Sequence, residues 1–253
     1  MCDNVSIFRR VGGKFRVKEK IIKFFPEFDT YVEPFAGSAG VFRGLTIDKD
    51  KKYVLNDLNT DIYDIWRDIK RISPEKFRKM NFNGDRETFY KLKDMTIPKT
   101  IEARLYRNLY LSYNSYQSIR RTYAEKGNKN TAIKLKNCIE QVQAELKHTT
   151  ITHQDYSKCI KRWDAPTTLF YLDPPYFEKE HLYEGMAVNP YELSKVCSKI
   201  KGHFVLSYNV NPVVEDAFKE FNFHRLLFTY DSLDKKKQTN RRVEKYEYII
   251  TNY

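Results

Sequence analysis

Asp173-Pro174-Pro175-Tyr176 gathers three chemical functions in four residues. It follows Leu169-Phe170-Tyr171-Leu172, a β-prone apolar run that two prolines stop. A carboxylate just past a buried strand stands where open α/β sheets place their ligand chemistry. Pro174 has no N–H and a fixed φ, so its carbonyl can be aimed outward as a neutral acceptor. Tyr176 offers a flat face on which a base could stack. The same residues also suit an Asx-type turn that ends a strand, with the tyrosine packed locally.

Three other stretches carry chemistry. Residues 30–35 read as a strand running into the small-residue turn Ala36-Gly37-Ser38-Ala39-Gly40, which permits close approach of a nucleotide. Tyr53-Val54-Leu55 is a second strand, and Asp57 beyond it lies about 20 residues past the turn, where a ribose-binding acid is expected. Asp57 could equally cap a helix over 61–72. Val11-Gly12-Gly13-Lys14, beside Arg9, Arg10 and Arg16, could bring backbone close to an anionic or polar ligand. It lacks Walker A spacing, and a plain turn explains it as well. In Tyr113-Asn114-Ser115-Tyr116-Gln117-Ser118-Ile119-Arg120-Arg121-Thr122-Tyr123, with Lys126 beyond, amides, arginines and aromatics interleave. Such a tract can grip phosphate, read base edges and wedge or stack, although a polar surface hairpin has the same composition.

The elements that must position these residues alternate between strand and helix, the pattern of an α/β fold. Helices are expected over 18–25, 61–72, 132–147, 190–201 and 212–220, and strands over 149–152, 169–172, 204–207, 223–229 and 245–251. Ile62, Ile65, Trp66 and Ile69 form one helical stripe, and Ile101, Leu105, Leu109 and Ser112 another; both read as core. Asp155 and Asp173 each end a strand, so the pair could work as acid and base. Residues 177–189, with Gly185 central, suit a mobile lid. The basic run 235–242 suits either a phosphate contact or a solvated face.

Lys and Arg outnumber Asp and Glu by 45 to 33, and the resulting net charge of +12 favours a polyanionic partner through counterion release. A hydrophobic fraction of 41% in 253 residues is enough for a packed core. Cys2, Cys138, Cys159 and Cys197 are scattered, which suggests neither a zinc site nor a disulfide framework and suits a reducing cytoplasm. No apolar stretch reaches the roughly 18 residues that span a bilayer, and no secretory signal is expected at Met1-Cys2-Asp3-Asn4.

Taken in order, Gly12-Gly13-Lys14, Glu33-Pro34-Phe35-Ala36-Gly37-Ser38-Ala39-Gly40, Leu55-Asn56-Asp57-Leu58-Asn59, Asp155-Tyr156, Asp173-Pro174-Pro175-Tyr176 and Tyr248-Ile249-Ile250-Thr251-Asn252-Tyr253 resemble the D12-class, Dam-like adenine-N6 DNA methyltransferases. The set spans nearly the whole chain, and the middle third matches in pattern alone. The resemblance implies a Rossmann-like S-adenosylmethionine-dependent methyltransferase sheet over 1–60 and 148–253. Into it is inserted a mainly helical DNA target-recognition region, 61–147, with a hairpin.

The same resemblance places S-adenosylmethionine among Gly12, Gly13, Lys14, Glu33, Pro34, Phe35, Gly37, Ser38, Gly40, Asp57, Asp155, Tyr156 and Asp173. Arg10 stands where the family usually has an aromatic residue, and its guanidinium can also stack. Asp173, Pro174 and Tyr176 are the implied catalytic residues. They would hold the amine of an adenine flipped out of duplex DNA, with no metal and no covalent enzyme intermediate. Tyr116, Gln117, Ser118, Arg120, Arg121 and Lys126 are the implied DNA contacts. The family more often has Asn-Gly where this chain has Gln117-Ser118, which leaves a G-A-T-C target open. Cytosine N4 or RNA adenine would suit the same tetrapeptide chemistry, and a non-catalytic DNA-binding role would suit the same scaffold. A restriction partner, a host enzyme and a phage enzyme would look alike, and oligomeric state is not encoded legibly.

Overall fold

The structure, a computed structural model, describes residues 6–8, 10, 12–115, 119–125, 129–177, 187–234 and 239–253, without the side chains of 129, 230–234 and 239–243. Short apolar runs rich in β-branched and aromatic residues form the strands β1 (Thr30–Glu33), β2 (Lys52–Asn56), β3 (Thr149–Thr152), β4 (Thr168–Leu172) and β5 (His203–Asn209). A long ribbon of β6 (Asn222–Asp234) and β7 (Thr239–Thr251) follows. All seven join one sheet in the order β3-β2-β1-β4-β5-β7-β6. The first five are mutually parallel, and β7 runs antiparallel to both β5 and β6.

Side chains alternate along each strand, so each face of the sheet has its own core. Tyr31, Tyr53, Leu55, Leu169 and Tyr171 point to one; Val32, Val54, Phe170, Leu172 and Leu206 point to the other. Both faces are covered, as a parallel sheet requires. On the second face lie Ile160 of α7 (Tyr156–Trp163), Leu193 of α8 (Pro190–Cys197) and Val214 of α9 (Pro212–Ala217). α1 (Lys18–Ile22) contributes Ile21 to the first.

Between β2 and β3 the described residues make five helices, α2 (Thr60–Arg71), α3 (Pro74–Lys79), α4 (Arg86–Asp94), α5 (Ile101–Tyr113) and α6 (Lys129–Lys147). The side chains of Asn59, Ser73, Asp85 and Thr100 accept from the first-turn N–H groups of α2 to α5 in turn, which fixes where each helix starts. The two apolar stripes are largely buried: Ile62, Ile65, Trp66 and Ile69 are at most 3% exposed, as are Leu105, Leu109 and Ser112, while Ile101 is half-buried. The first stripe belongs to the same core as Tyr31 and Leu169, so the helical excursion shares its interior with the sheet. Arg104 of α5 adds a fork of hydrogen bonds, 2.7 and 2.8 Å, to the fully buried Asp68 of α2.

Several helices are shorter than periodicity implies, and the cause is local. Beyond α1, α8 and α9 the backbone tightens into i to i−3 bonds, as in Phe25 N–H to Ile22 O, Ile200 N–H to Cys197 O and Phe221 N–H to Phe218 O. The ribbon is longer than expected because pairing continues from Thr229↔Glu244 to Asp234↔Thr239 through a mostly polar run whose few apolar residues show no alternation. Cys159 and Cys197 are free and buried. Cys138 is disulfide-bonded, whereas the scattered cysteines suggested no disulfide framework. Among the described residues no helix is long and apolar enough to cross a membrane, and no cluster of His, Cys, Asp or Glu could hold a metal ion.

β1 lies between β2 and β4, so the connections leaving β1 and β4 run to opposite sides of the sheet. That reversal opens a crevice beyond the carboxyl ends of these two strands, and the candidate site lies there.

Candidate active site

The crevice is a cavity of about 260 Å3. Every residue expected around the cofactor lines it: Arg10, Gly12, Gly13 and Lys14 from the N-terminal loop, Glu33, Pro34, Phe35, Gly37, Ser38 and Gly40 from the end of β1 and its turn, then Asp57, Asp155, Tyr156 and Asp173. Tyr171, Pro175, Leu58, Asn59 and Val188 also line it.

Gly37 is the centre of the turn. Its φ of +48° lies in the left-handed region, and a Cβ there would approach nothing nearer than the Arg10 Cδ at 4.0 Å. Backbone conformation rather than space therefore demands glycine. Its N–H donates to Asp57 Oδ2 at 2.8 Å, and its carbonyl accepts from the Trp66 indole at 2.8 Å. Asp57 also accepts from the Asn59 N–H at 2.9 Å, while Asn59, not Asp57, caps α2. Burial raises the Asp57 pKa; the Arg10 guanidinium and the N–H groups of Asn59 and Gly37 oppose it. Gly40 answers a different need, since a Cβ there would sit 2.5 Å from the Phe15 nitrogen where the turn meets the N-terminal loop.

Asn56, fully buried, staples three strand ends. Its Nδ2 donates to Pro34 O and Gln154 O, both at 2.9 Å, and its Oδ1 accepts from Thr152 Oγ1 at 2.8 Å and Gln154 N at 3.0 Å. Asp155 caps α7 by accepting from Ser157 N at 2.9 Å, and Tyr156 packs on Phe35 with ring centroids 5.1 Å apart.

The opposite wall is charged. Lys14, 2% exposed, donates to Asp173 Oδ1 at 2.8 Å and to Gly12 O at 2.9 Å, with Glu247 Oε2 3.7 Å away. Burial lowers the Lys14 pKa, but Asp173, Tyr176 and Glu247 more than offset it and hold the ammonium well above its usual range. Burial pushes the Asp173 carboxyl up to about 6, with Lys14 pulling down and Glu247 pushing up. It is thus a carboxylate above neutral pH. Glu33, which accepts from Tyr31 Oη and Phe42 N at 2.7 Å each, is pushed up to about 8 by burial.

Pro174 and Tyr176 do not line the cavity in this conformation; Pro175 does. Tyr176 is 4% exposed. Its hydroxyl donates to Glu247 Oε2 at 2.7 Å, its ring stacks on Tyr208 at 5.4 Å, and Lys14 Nζ sits 4.8 Å from its centroid. Glu247 escaped sequence reading because it lies 71 residues beyond Tyr176 and on an outer strand. Trp66 was read only as core. No sequence signal marks either partner.

Of the expected DNA contacts, Tyr116, Gln117, Ser118 and Lys126 lie outside the described residues. At the base of that hairpin Ser115 bridges Tyr123, and the Tyr123 hydroxyl donates to Gly84 O at 2.9 Å. Arg120 is placed differently from a phosphate-gripping arginine. It has a φ of +66°, pairs with Asp61 at 2.7 Å and donates to Asn108 Oδ1 at 3.0 Å. Arg121 is exposed, and its carbonyl accepts from Lys93 at 3.1 Å.

Over 96% of its length the chain is 27% identical to the Type II methyltransferase M1.LlaDCHI of Lactococcus lactis subsp. cremoris, covering 93% of that protein. Over 46% of the chain it is 26% identical to a DNA adenine methylase of Salmonella typhi, covering 37% of it. A segment of 66 residues is 36% identical to the DNA N-6-adenine-methyltransferase of Escherichia phage P1, 8% of that protein. Residues 11–231 match the model of the D12 class N6 adenine-specific DNA methyltransferases. The sheet is Rossmann-like, the methyl donor of such an enzyme is S-adenosylmethionine, and its acceptor is adenine N6 in DNA. The chain belongs to the D12 class N6 adenine-specific DNA methyltransferase family.

Proposed function

We propose that Asp173, Pro174 and Tyr176 receive an adenine flipped from double-stranded DNA, and that the cavity beside them holds the methyl donor. The observation that carries this reading is the position of Asp173. It stands at the end of β4, on the cavity wall, ionised above neutral pH and held by a buried lysine. S-adenosylmethionine, when bound, supplies a methyl group activated on a sulfonium. The residues lining the cavity fit it. Asp57, fixed by two backbone N–H groups, suits ribose hydroxyls, Phe35 and Tyr156 give an apolar wall, and Gly37 lets the backbone approach closely.

The exocyclic amine of adenine is a poor nucleophile because its lone pair is delocalised into the ring. The Asp173 carboxylate and the Pro174 carbonyl accept its two N–H groups, favour a tetrahedral nitrogen and aim the lone pair. Orientation and fixed charge do the work, and the thiols have no part in it. Tyr176, locked by Glu247 and Tyr208, serves as the aromatic wall for the base. An adenine stacked in a duplex cannot reach this depth, hence the flip. The helical excursion with its hairpin, within residues 61–147, carries target recognition. Arg121 there faces the DNA, whereas Arg120 braces the loop that presents it. The protein works in the cytoplasm, on DNA.

The test is Asp173→Asn, which keeps shape and removes the charge. With radiolabelled donor and adenine-containing duplex DNA, the variant should lose about 10²-fold or more in kcat while still binding donor. Wild-type turnover by Asp173→Asn would overturn the assignment of Asp173. Nucleoside mass spectrometry of the product reads the base itself, and N4-methylcytosine instead of N6-methyladenine would overturn the choice of substrate.

A further inference from the structure

Glu247 sits where the last strand crosses the active site. In register it faces Asn209 of β5, and β5 neighbours β4, whose end carries Asp173. The residue is 6% exposed, so its carboxylate is kept from water and must be matched by protein groups. Two of its partners belong to the candidate site. Tyr176 Oη donates to it at 2.7 Å, and Lys14 Nζ lies 3.7 Å away while donating to Asp173 at 2.8 Å.

One ammonium thus lies between two carboxylates, and the outer carboxylate also holds the tyrosine of the tetrapeptide. We propose that Glu247 is a positioning residue for methyl transfer, fixing Tyr176 through its hydroxyl and sharing Lys14 with Asp173. This rests on the reading of Asp173 to Tyr176 as the amine-binding site.

Two consequences follow from the geometry. The first is mechanical. Pro174 and Pro175 make the link from Asp173 to Tyr176 stiff, so a tether on the Tyr176 hydroxyl constrains the Pro174 carbonyl as well. A loss of that tether misplaces the acceptor, and misplacement by about 1 Å can cost roughly 10²-fold in rate. The second is electrostatic. Five groups face Asp173: Lys14 from the N-terminal loop, Glu33 from β1, Tyr171 from β4, Tyr176 from its own turn and Glu247 from β7. Lys14 and the Tyr176 hydroxyl favour the ionised form of Asp173, and Glu247 opposes it; Glu33, pushed up to about 8, is itself raised by Asp173. Removing the Glu247 charge therefore leaves Asp173 as the one carboxylate on Lys14 and makes it easier to ionise.

Glu247→Gln and Glu247→Ala separate these effects, with Tyr176→Phe as the partner variant. Steady-state methylation of duplex DNA is measured for each from about pH 5 to pH 9, with donor affinity measured by calorimetry. Glu247→Gln keeps an acceptor for Tyr176 and loses the charge, so the acid limb of its kcat/KM profile should move to lower pH. Glu247→Ala should lose about 10²-fold in kcat with donor affinity within a few-fold of wild type, and Tyr176→Phe should cost nothing further in that background.

An acid limb of Glu247→Gln that coincides with wild type overturns the inference, and so does wild-type kcat in Glu247→Ala. If Glu247→Ala fails to fold, the limb of Glu247→Gln still decides. The underlying reading fails separately: if wild-type protein leaves adenine in duplex DNA unmethylated, the amine-binding site itself is wrong, whatever Glu247 does.

Discussion

Lys14→Met tests the charged wall most directly, because it removes one ammonium that two carboxylates share. Lys14 and Asp173 are 2.8 Å apart, with the lysine 2% and the aspartate 22% exposed, so the pair is substantially desolvated. Removing one member of a buried ion pair costs about 3–5 kcal/mol, mostly because the other charge is left without compensation. Here the remaining charges are Asp173 and Glu247, both of which faced the same ammonium. In a chain of this size 1 kcal/mol moves Tm by about 2–4 °C, so Lys14→Met should lower Tm by roughly 6 to 20 °C.

Asp173 is already pushed up to about 6 with Lys14 in place; without it the carboxyl rises further. The acid limb of methylation in Lys14→Met should move to higher pH, with activity partly regained in alkaline buffer. The double variant Lys14→Met/Asp173→Asn leaves no charged pair to break. It should be more stable than the sum of the single effects allows, by about 1–3 kcal/mol. Urea denaturation of the four proteins of this cycle reads the coupling. Strict additivity, or an acid limb that stays in place in Lys14→Met, refutes the reasoning.

Glu33 ties stability to pH: its carboxyl is raised from 4.5 to about 8 by burial, so the folded protein holds a proton that the unfolded chain releases. Its contribution is fully present below about 4.5 and is lost as pH rises through about 8, so Glu33→Gln should gain stability relative to wild type over that window. Equal pH dependence of urea midpoints in the two proteins would falsify this. Gly37→Ala should cost about 1–2 kcal/mol through its left-handed φ and loosen the hydrogen bond to Asp57, weakening donor binding in calorimetry. Unchanged donor affinity refutes that link. Arg120→Met and Asp61→Asn remove the same 2.7 Å pair, so each should weaken binding of duplex DNA and the double variant should be no worse than the singles. Additive losses would show that Arg120 touches DNA itself.

Strand ends and their acids were legible because a parallel sheet needs only short apolar runs, and turn chemistry marks where each stops. Asp57, Asp155 and Asp173 all stand within three residues of a strand's last residue and all line the cavity. The glycine turn was legible for the same reason, although Gly37 and Gly40 turn out to serve different needs. The partners of these residues were not legible. Tyr176 Oη reaches Glu247 71 residues away, and Asn56 reaches Gln154 98 residues away; no local pattern encodes such contacts. Arg120 and Arg121 are adjacent and chemically identical, so composition could not separate a brace from an exposed arginine. Their contacts separate them: the Arg120 guanidinium pairs with Asp61, whereas Arg121 is exposed. Helix ends were misjudged where the last turn tightens, since apolar periodicity continues through a 3-10 turn.

The charge of the cavity runs against that of the chain. The chain carries a net charge of +12, yet the cavity wall sets three aspartates, Asp57, Asp155 and Asp173, and Glu33, which holds its proton up to about pH 8, against two cations, Arg10 and Lys14. A uniformly basic surface would attract DNA and repel a sulfonium, whereas a uniformly acidic one would do the reverse. Separating the two by depth lets one small protein hold both ligands. The same depth explains why Lys14 is needed. Burial pushes the Asp173 carboxyl up, and a protonated acid is a weaker acceptor for the amine N–H than a carboxylate is. A buried ammonium at 2.8 Å keeps it ionised.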